Sequence, residues 1–411
     1  MARNGKEQRV GIVGIILFAL GITVSIALHE AGHMFTARAF GMRVRRYFVG
    51  FGPKVWSVKK GETEYGIAAL PLGGFCDIAG MTAQDPVTAD EAPVAMYRKP
   101  WWQRVAVLSG GIAMNLLIGV VVLYFVAVFA AIPNPYADRT PTVGELQCAP
   151  DQISERELGE CTGNGPGYDA GLRAGDKLLA VDGEALKTFP ELRDYVIRRP
   201  GEIVTLTVMR DDAQLDIDVP LATVTRIDPA TGASFDAGAI GVTSAPVEDA
   251  MCQFGPLEAV PATAAFTGQM LSATVQGLIA FPSKIPGVVA SIFGAERELD
   301  GPVSVIGASR AGGELAQQSM WSMFWMMLAS LNFFLALFNL IPLPPLDGGH
   351  IAVVLYEKIR DALRKLRGLG PGGPADYRKL MPLTYAMAAA LLTIGVFVML
   401  ADVVNPIKLF G

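Results

Sequence analysis

Residues 10–33 read VGIVGIILFALGITVSIALHEAGH, and the reading of this stretch decides the fold. From Val10 to Leu28 only Thr23 and Ser25 interrupt an apolar run long enough to span a bilayer. The run leads straight into His29-Glu30-Ala31-Gly32-His33, an H-E-x-x-H pattern. On a helix, positions i and i+4 share a face, so both imidazoles can hold one metal ion. Glu30 can then act on a water at that metal. Such a short pattern recurs by chance, and its setting is what sharpens it. An ionisable side chain at membrane depth costs about 2.5–3.5 kcal/mol, so its presence there points to function. The competing reading is an interfacial polar cluster just beyond a membrane anchor.

The composition agrees with a membrane setting. The chain is 51% hydrophobic and only 18% charged over 411 residues, too apolar for an ordinary soluble protein and fitting an integral membrane protein with a soluble insert. The net charge of -5 comes without a basic stripe, which argues against a nucleic-acid partner. There are three histidines, His29, His33 and His350, so a histidine-based metal site has almost no other donors to draw on. Four cysteines without a C-x-x-C pair exclude a disulfide scaffold. A disulfide between Cys148 and Cys161 and four free thiols are equally open readings.

Working outward, residues 1–40 form a first transmembrane helix ending in the histidine pair. Residues 41–104 are β-rich with Gly breaks and a Lys60-Gly61 turn, and predict hairpins associated with the membrane, or else a cytosolic hairpin domain. Pro100-Trp101-Trp102 is an interface anchor, and residues 105–132 are a second span. Gly110 and Gly111 in that span permit close helix contact, and Asn115 suits an interhelical hydrogen bond. A soluble insert is expected over 133–224, and a linker over 225–319. The third span, 320–347, carries Asn332 and Asn339 on one face. A basic amphipathic helix and linker follow over 348–382, then a fourth span and tail over 383–411.

Sidedness follows from the flanking charges. Nine Lys and Arg lie in 41–104 and seven in 348–380, which puts both segments in the cytoplasm and both termini and the insert outside. Arg3, Lys6 and Arg9 argue weakly the other way. If Asp347 is to meet His29 and His33, the chain must cross the membrane an even number of times between them. The apolar segment 257–281 is therefore expected to lie along the surface as an amphipathic or partly inserted helix.

Two further motifs carry a resemblance. Residues 170–183, AGLRAGDKLLAVDG, resemble the core of a PDZ domain, a fold that binds extended peptide at a sheet edge; a plain β spacer is the alternative. Asn339, Pro342, Pro344, Asp347 and Gly348 satisfy N-x-x-P-x-P-x-x-D-G. Together with H-E-x-x-H, these motifs make the chain resemble the site-2 proteases, of the bacterial sigma-factor-regulating type. It carries one PDZ-like unit where many relatives have two. The resemblance implies a polytopic α-helical membrane protein with about four transmembrane helices, an extracytoplasmic PDZ-like α+β domain and a membrane-associated β-hairpin region.

The resemblance also implies an intramembrane zinc metalloprotease in the bacterial plasma membrane, with its active site towards the cytoplasm. His29, His33 and Asp347 would be the Zn2+ ligands, Glu30 the general base and Asn339 an oxyanion contact. His350 would reach the metal's surroundings or make an ordinary polar contact at a helix start. Substrates would be single-span membrane proteins such as anti-sigma factors, with peptide docking at the insert. An inactive membrane-anchored PDZ adaptor and a zinc-carrying membrane protein without protease activity are the rivals.

Overall fold

The computed structural model describes residues 2–154, 157–228, 233–298 and 300–410. The chain divides into two compact units, one of residues 1–132 with 253–411 and the other of residues 133–252.

The first unit is helical. Helix α1 is Ala2–Ala39, and its last three turns carry the histidine pair. Strands β1, Val44–Lys60, and β2, Thr63–Ile78, follow. Their pairing is broken by repeated register shifts: residues 44–49 are paired to 74–78 on one flank and to 64–67 on the other, while Lys54–Lys60 folds back on Thr63–Ala68. The turn at Gly61 has φ +64°, which glycine adopts freely. Residues 74–78 thus form one edge of the sheet.

Helices α2, Trp101–Leu108, and α3, Gly110–Phe129, are separated only by Ser109. The small residues foreseen there do allow close contact. A β-carbon on Gly32 would run into the Gly110 carbonyl, so α1 and α3 cross backbone to backbone. Higher on α3, Gly119 makes room for Phe333, which lies in the later helix Trp321–Leu340.

After the insert comes α5, Ala259–Ile292, a 34-residue helix that continues through Pro282 and Pro286. Then follow α6, Val305–Gln317, α7, Trp321–Leu340, α8, Asp347–Leu366, and α9, Met381–Val404. Among the described residues five helices are long and apolar enough to cross a membrane, where the sequence suggested about four; α5 is the addition. Its contacts are informative. At its start, Phe254 N donates to Ala127 O at the end of α3 (2.9 Å), and Ala259 is buried beside Ala127. At its end, Val288 packs on Val398 and Ala401, and Asn405 donates to Ser291 O. Just past it, Arg297 pairs with the buried Asp402 at 2.8 Å, and the same carboxylate accepts from Ser304 N before α6. In turn α6 lies on the early half of α1, where Gly14 meets Ala316. The start of α5 therefore lies by the end of α3 and its end by the end of α9, with α6 beside the early half of α1, all remote from the histidine pair.

The second unit begins with β3, Val143–Leu146. Its four-stranded sheet combines β4, Lys177–Val181, β5, Glu184–Ala185, β6, Ile203–Arg210, and β7, Ala213–Pro220, in the order β7-β6-β4-β5. Helix α4, Phe189–Val196, covers it through Leu192 and Val196. On β6, Val204, Leu206 and Val208 point inward while Thr205 and Thr207 point out, the alternation of a half-buried strand. The hairpin of β8, Ala222–Ile227, with β9, Ser234–Ala239, comes next. Strand β10, Val242–Ser244, then returns to pair with β3. This closing pair carries the unit to Cys252 and not to residue 224, because the partner that completes its edge lies about a hundred residues downstream of β3. Cys148 and Cys161 are joined as a disulfide, and Cys76 and Cys252 are free.

Asp176 is 1% exposed and lies 2.6 Å from Arg210. Burial alone would raise its pKa, but the Arg210 guanidinium and the Arg173 amide hold it below the ordinary carboxylate range. The pair therefore stabilises the unit above that range and loses its effect as pH falls through the depressed value. Arg210→Met strands the buried carboxylate and should cost the insert about 3–5 kcal/mol. Faster hydrogen exchange over 177–208 in the intact protein reports this, and unchanged exchange contradicts it.

Candidate metal centre

Three side chains from two distant segments converge. His29 and His33 are one turn apart on α1, both buried, and Asp347 occupies the first turn of α8. His29 Nε2 and His33 Nε2 are 3.3 Å apart, and Asp347 Oδ2 is 3.3 Å from the first and 3.4 Å from the second. Among the described residues these three are the group of donors close enough to hold a metal ion. Tetrahedral zinc with bonds of about 2.0–2.1 Å would set its donors about 3.3–3.4 Å apart, the spacing found here.

The protonation pattern agrees. Val107 O lies 2.8 Å from His33 Nδ1, and a carbonyl can only accept. Nδ1 of His33 therefore carries the hydrogen, and Nε2 offers a lone pair towards the other two donors. Two imidazole lone pairs and a carboxylate oxygen at such range repel one another unless a cation sits between them. The donor set fits zinc.

The surroundings leave no slack. A β-carbon on Gly111 would overlap His33 Nε2 and lie 2.6 Å from His29 Nε2, so the α3 backbone itself walls the donors. Gly348 and Gly349 do the same for Asp347: side chains there would strike the Leu340, Ile341 and Leu343 carbonyls, and only glycine lets α8 start directly beneath the end of α7. Arg104 of α2 and Glu357 of α8 form a buried pair at 2.6 Å, and Glu357 also accepts from Ala375 N, which pins the helix that carries Asp347.

Glu30 is half-buried beside the pair, and Gly74 of the sheet edge approaches it closely: a β-carbon there would stand 3.1 Å from Glu30 Cγ. Asn339 is half-buried in the last turn of α7 and makes no hydrogen bond among the described residues. His350 is outside the donor group. It stacks on Tyr377, with ring centroids 5.6 Å apart, and its Nδ1 is 3.5 Å from the Tyr377 hydroxyl. Asn332, rather than Asn115, shows the interhelical bond: its amide donates to Ser25 Oγ at 2.9 Å. The Val107 carbonyl and the Gly74 approach have no sequence signature, since both are backbone positions brought in by tertiary packing.

The profile of peptidase family M50 matches residues 17–369 of this chain. The chain belongs to peptidase family M50. It is similar to the zinc metalloprotease Rip1 of Mycolicibacterium smegmatis, 46% identical over 403 residues that cover 97% of this chain and 99% of the relative. The zinc metalloprotease Rip1 of Mycobacterium tuberculosis is 42% identical over 408 residues, with the same coverage. A solved PDZ domain of an SdrC-like protein from Listeria monocytogenes covers 24% of this chain and 86% of its own length at 23% identity, with a TM-score of 0.16 that is too low to bear on the fold. Family membership makes this M50 chain a zinc metallopeptidase of the site-2 protease type, and its apolar helices make it a membrane protein.

Gly111→Ala inserts a methyl group among the donors without touching any of them chemically. It should lower zinc affinity at least about tenfold while leaving helix content intact, since the change acts as a displaced supporting contact does. Competition with a chromophoric chelator, beside circular dichroism, measures both. Undiminished affinity would show that the α3 backbone does not shape the site.

Proposed function

We propose that this M50 peptidase hydrolyses peptide bonds in or near the transmembrane segments of single-span membrane proteins, anti-sigma factors being the expected class. His29, His33 and Asp347 hold the zinc ion. The observation that carries this reading is the set of three mutual distances, 3.3, 3.3 and 3.4 Å, with Glu30 next in sequence to one donor. Bound zinc supplies a Lewis acid that activates water and polarises the scissile carbonyl. Glu30 takes the proton from the attacking water and returns it to the leaving amine. The Asn339 amide, in the last turn before the Asp347 loop, donates to the developing oxyanion.

A substrate helix keeps its carbonyls in i to i−4 hydrogen bonds, so it must be opened before attack. The edge at 74–78 lies beside Glu30, which already accepts from the Cys76 backbone, and addition of the unwound segment along that edge would hold an extended chain next to the metal ligands. For topology, we propose four crossings with the insert outside. The placement of both ends of α5 away from the histidine pair supports this count, because a helix that starts and ends at the same end of the bundle leaves parity unchanged. The PDZ-like insert then filters or docks the outer portion of the substrate.

Glu30→Gln should retain about one zinc per chain, since the three donors are untouched, and should abolish cleavage of a transmembrane reporter. Metal analysis with mass mapping of products tests it; retained cleavage would falsify the catalytic assignment. Asn339→Ala should lower kcat about a hundredfold with zinc content unchanged, and a full-rate variant removes the oxyanion role. Proline substitutions along 73–77 should slow cleavage at constant zinc. Indifference to them would mean that substrate is held elsewhere.

A further inference from the structure

Helix α8 has two apolar faces. One, with Ile351 and Val354, is buried in the core beside α1 and α2. The other carries Tyr356, Ile359, Leu363 and Leu366, which are 58, 61, 54 and 85% exposed. Their spacing of three, four and three residues puts them in one stripe along the helix. At 100° per residue, Arg360 and Arg367 border that stripe on one side with Arg364 beyond them, while Lys358 and Lys365 lie well past its other side, towards the face of Ile351 and Val354. The acids of this stretch are already engaged, Glu357 with Arg104 and Asp361 with Arg360. Lys358, Lys365 and Arg367 have no carboxylate partner among the described residues, and Arg364, near Asp361, spends its Nε on the Gly370 carbonyl. Lys358 lies over the Trp101 ring, at 5.7 Å, and Trp101 and Trp102 are themselves exposed, as tryptophans at a membrane boundary are.

We infer that α8 lies in the membrane interface and selects anionic phospholipid, with the stripe among the acyl chains and the basic residues on the headgroups. Charge complementarity fixes the occupant. A stripe facing water would be polar, whereas an apolar band bordered by cations matches the two levels of an anionic leaflet. The helix begins at Asp347, so headgroup contacts along it bear on the depth at which that donor is presented. The inference rests on the membrane-embedded reading above.

The test uses the full chain in nanodiscs with the added reporter Ile359→Trp. Each disc contains neutral and anionic lipid in the same proportion, with bromine on the acyl chains of only one of them. The extra fluorescence of the variant over wild type should be quenched, and brominated anionic lipid should quench it about twofold more than brominated neutral lipid at low salt. Arg364→Gln, Lys365→Gln and Arg367→Gln together should remove that preference. Equal quenching by both lipids overturns the headgroup selection. No quenching of the reporter overturns the interfacial placement and leaves the stripe to a protein partner or a second copy. Quenching of the wild-type tryptophans, which include Trp321 and Trp325 of α7, reports the membrane-embedded reading separately.

Discussion

Mutual repulsion among three electron-rich atoms is the constraint on which this structure depends. Two imidazole nitrogens and a carboxylate oxygen are held within 3.4 Å of one another in a buried place, an arrangement that a shared metal cation makes favourable. The architecture around them works by removing freedom. The Val107 carbonyl fixes one ring's tautomer. Gly32 against Gly110 brings two backbones into contact, and Gly111 puts main chain directly on the donors. The Gly348-Gly349 pair and the Arg104–Glu357 bridge set the start of α8, so Asp347 arrives from a segment more than three hundred residues away without play.

Much of this was legible because local spacing maps directly onto helix faces. H-E-x-x-H needs only the helical repeat to become a pair of donors, and the Asn339–Gly348 motif marks a helix end followed by a tight re-entry. The apolar stretches mark where the long helices α1, α3, α7 and α9 lie. What stayed hidden depended on distant partners. The end of the insert could not be read because β10 completes itself against β3, and no local feature of residues 225–252 announces that pairing. The length of α5 was masked by Pro282 and Pro286, which look like breaks. A proline forfeits one N–H and crowds one carbonyl, and a well-packed helix tolerates that.

The sheet region shows the same division. Its strand character and the turn at Gly61 follow from composition, whereas the shifted registers that pair 44–49 on both flanks do not. Those shifts bring Gly74 against Glu30 and so set a backbone edge beside the residue proposed for proton transfer. In that proposal, binding of an extended chain and acid–base chemistry fall at one place, although the residues responsible lie on different elements.

The backbone contact at Gly32 and Gly110 has a mechanical consequence. With no side chain between the two helices, the crossing behaves as a fulcrum. His33 is one residue from it, whereas Gly14 is 18 residues away along α1, about 27 Å at helical rise. A ten-degree swing about that point would carry Gly14 through about 5 Å and shift the His33 backbone by well under 1 Å. Any displacement of the remote half of α1 would therefore act as the long arm of a lever and leave the metal-binding end almost in place.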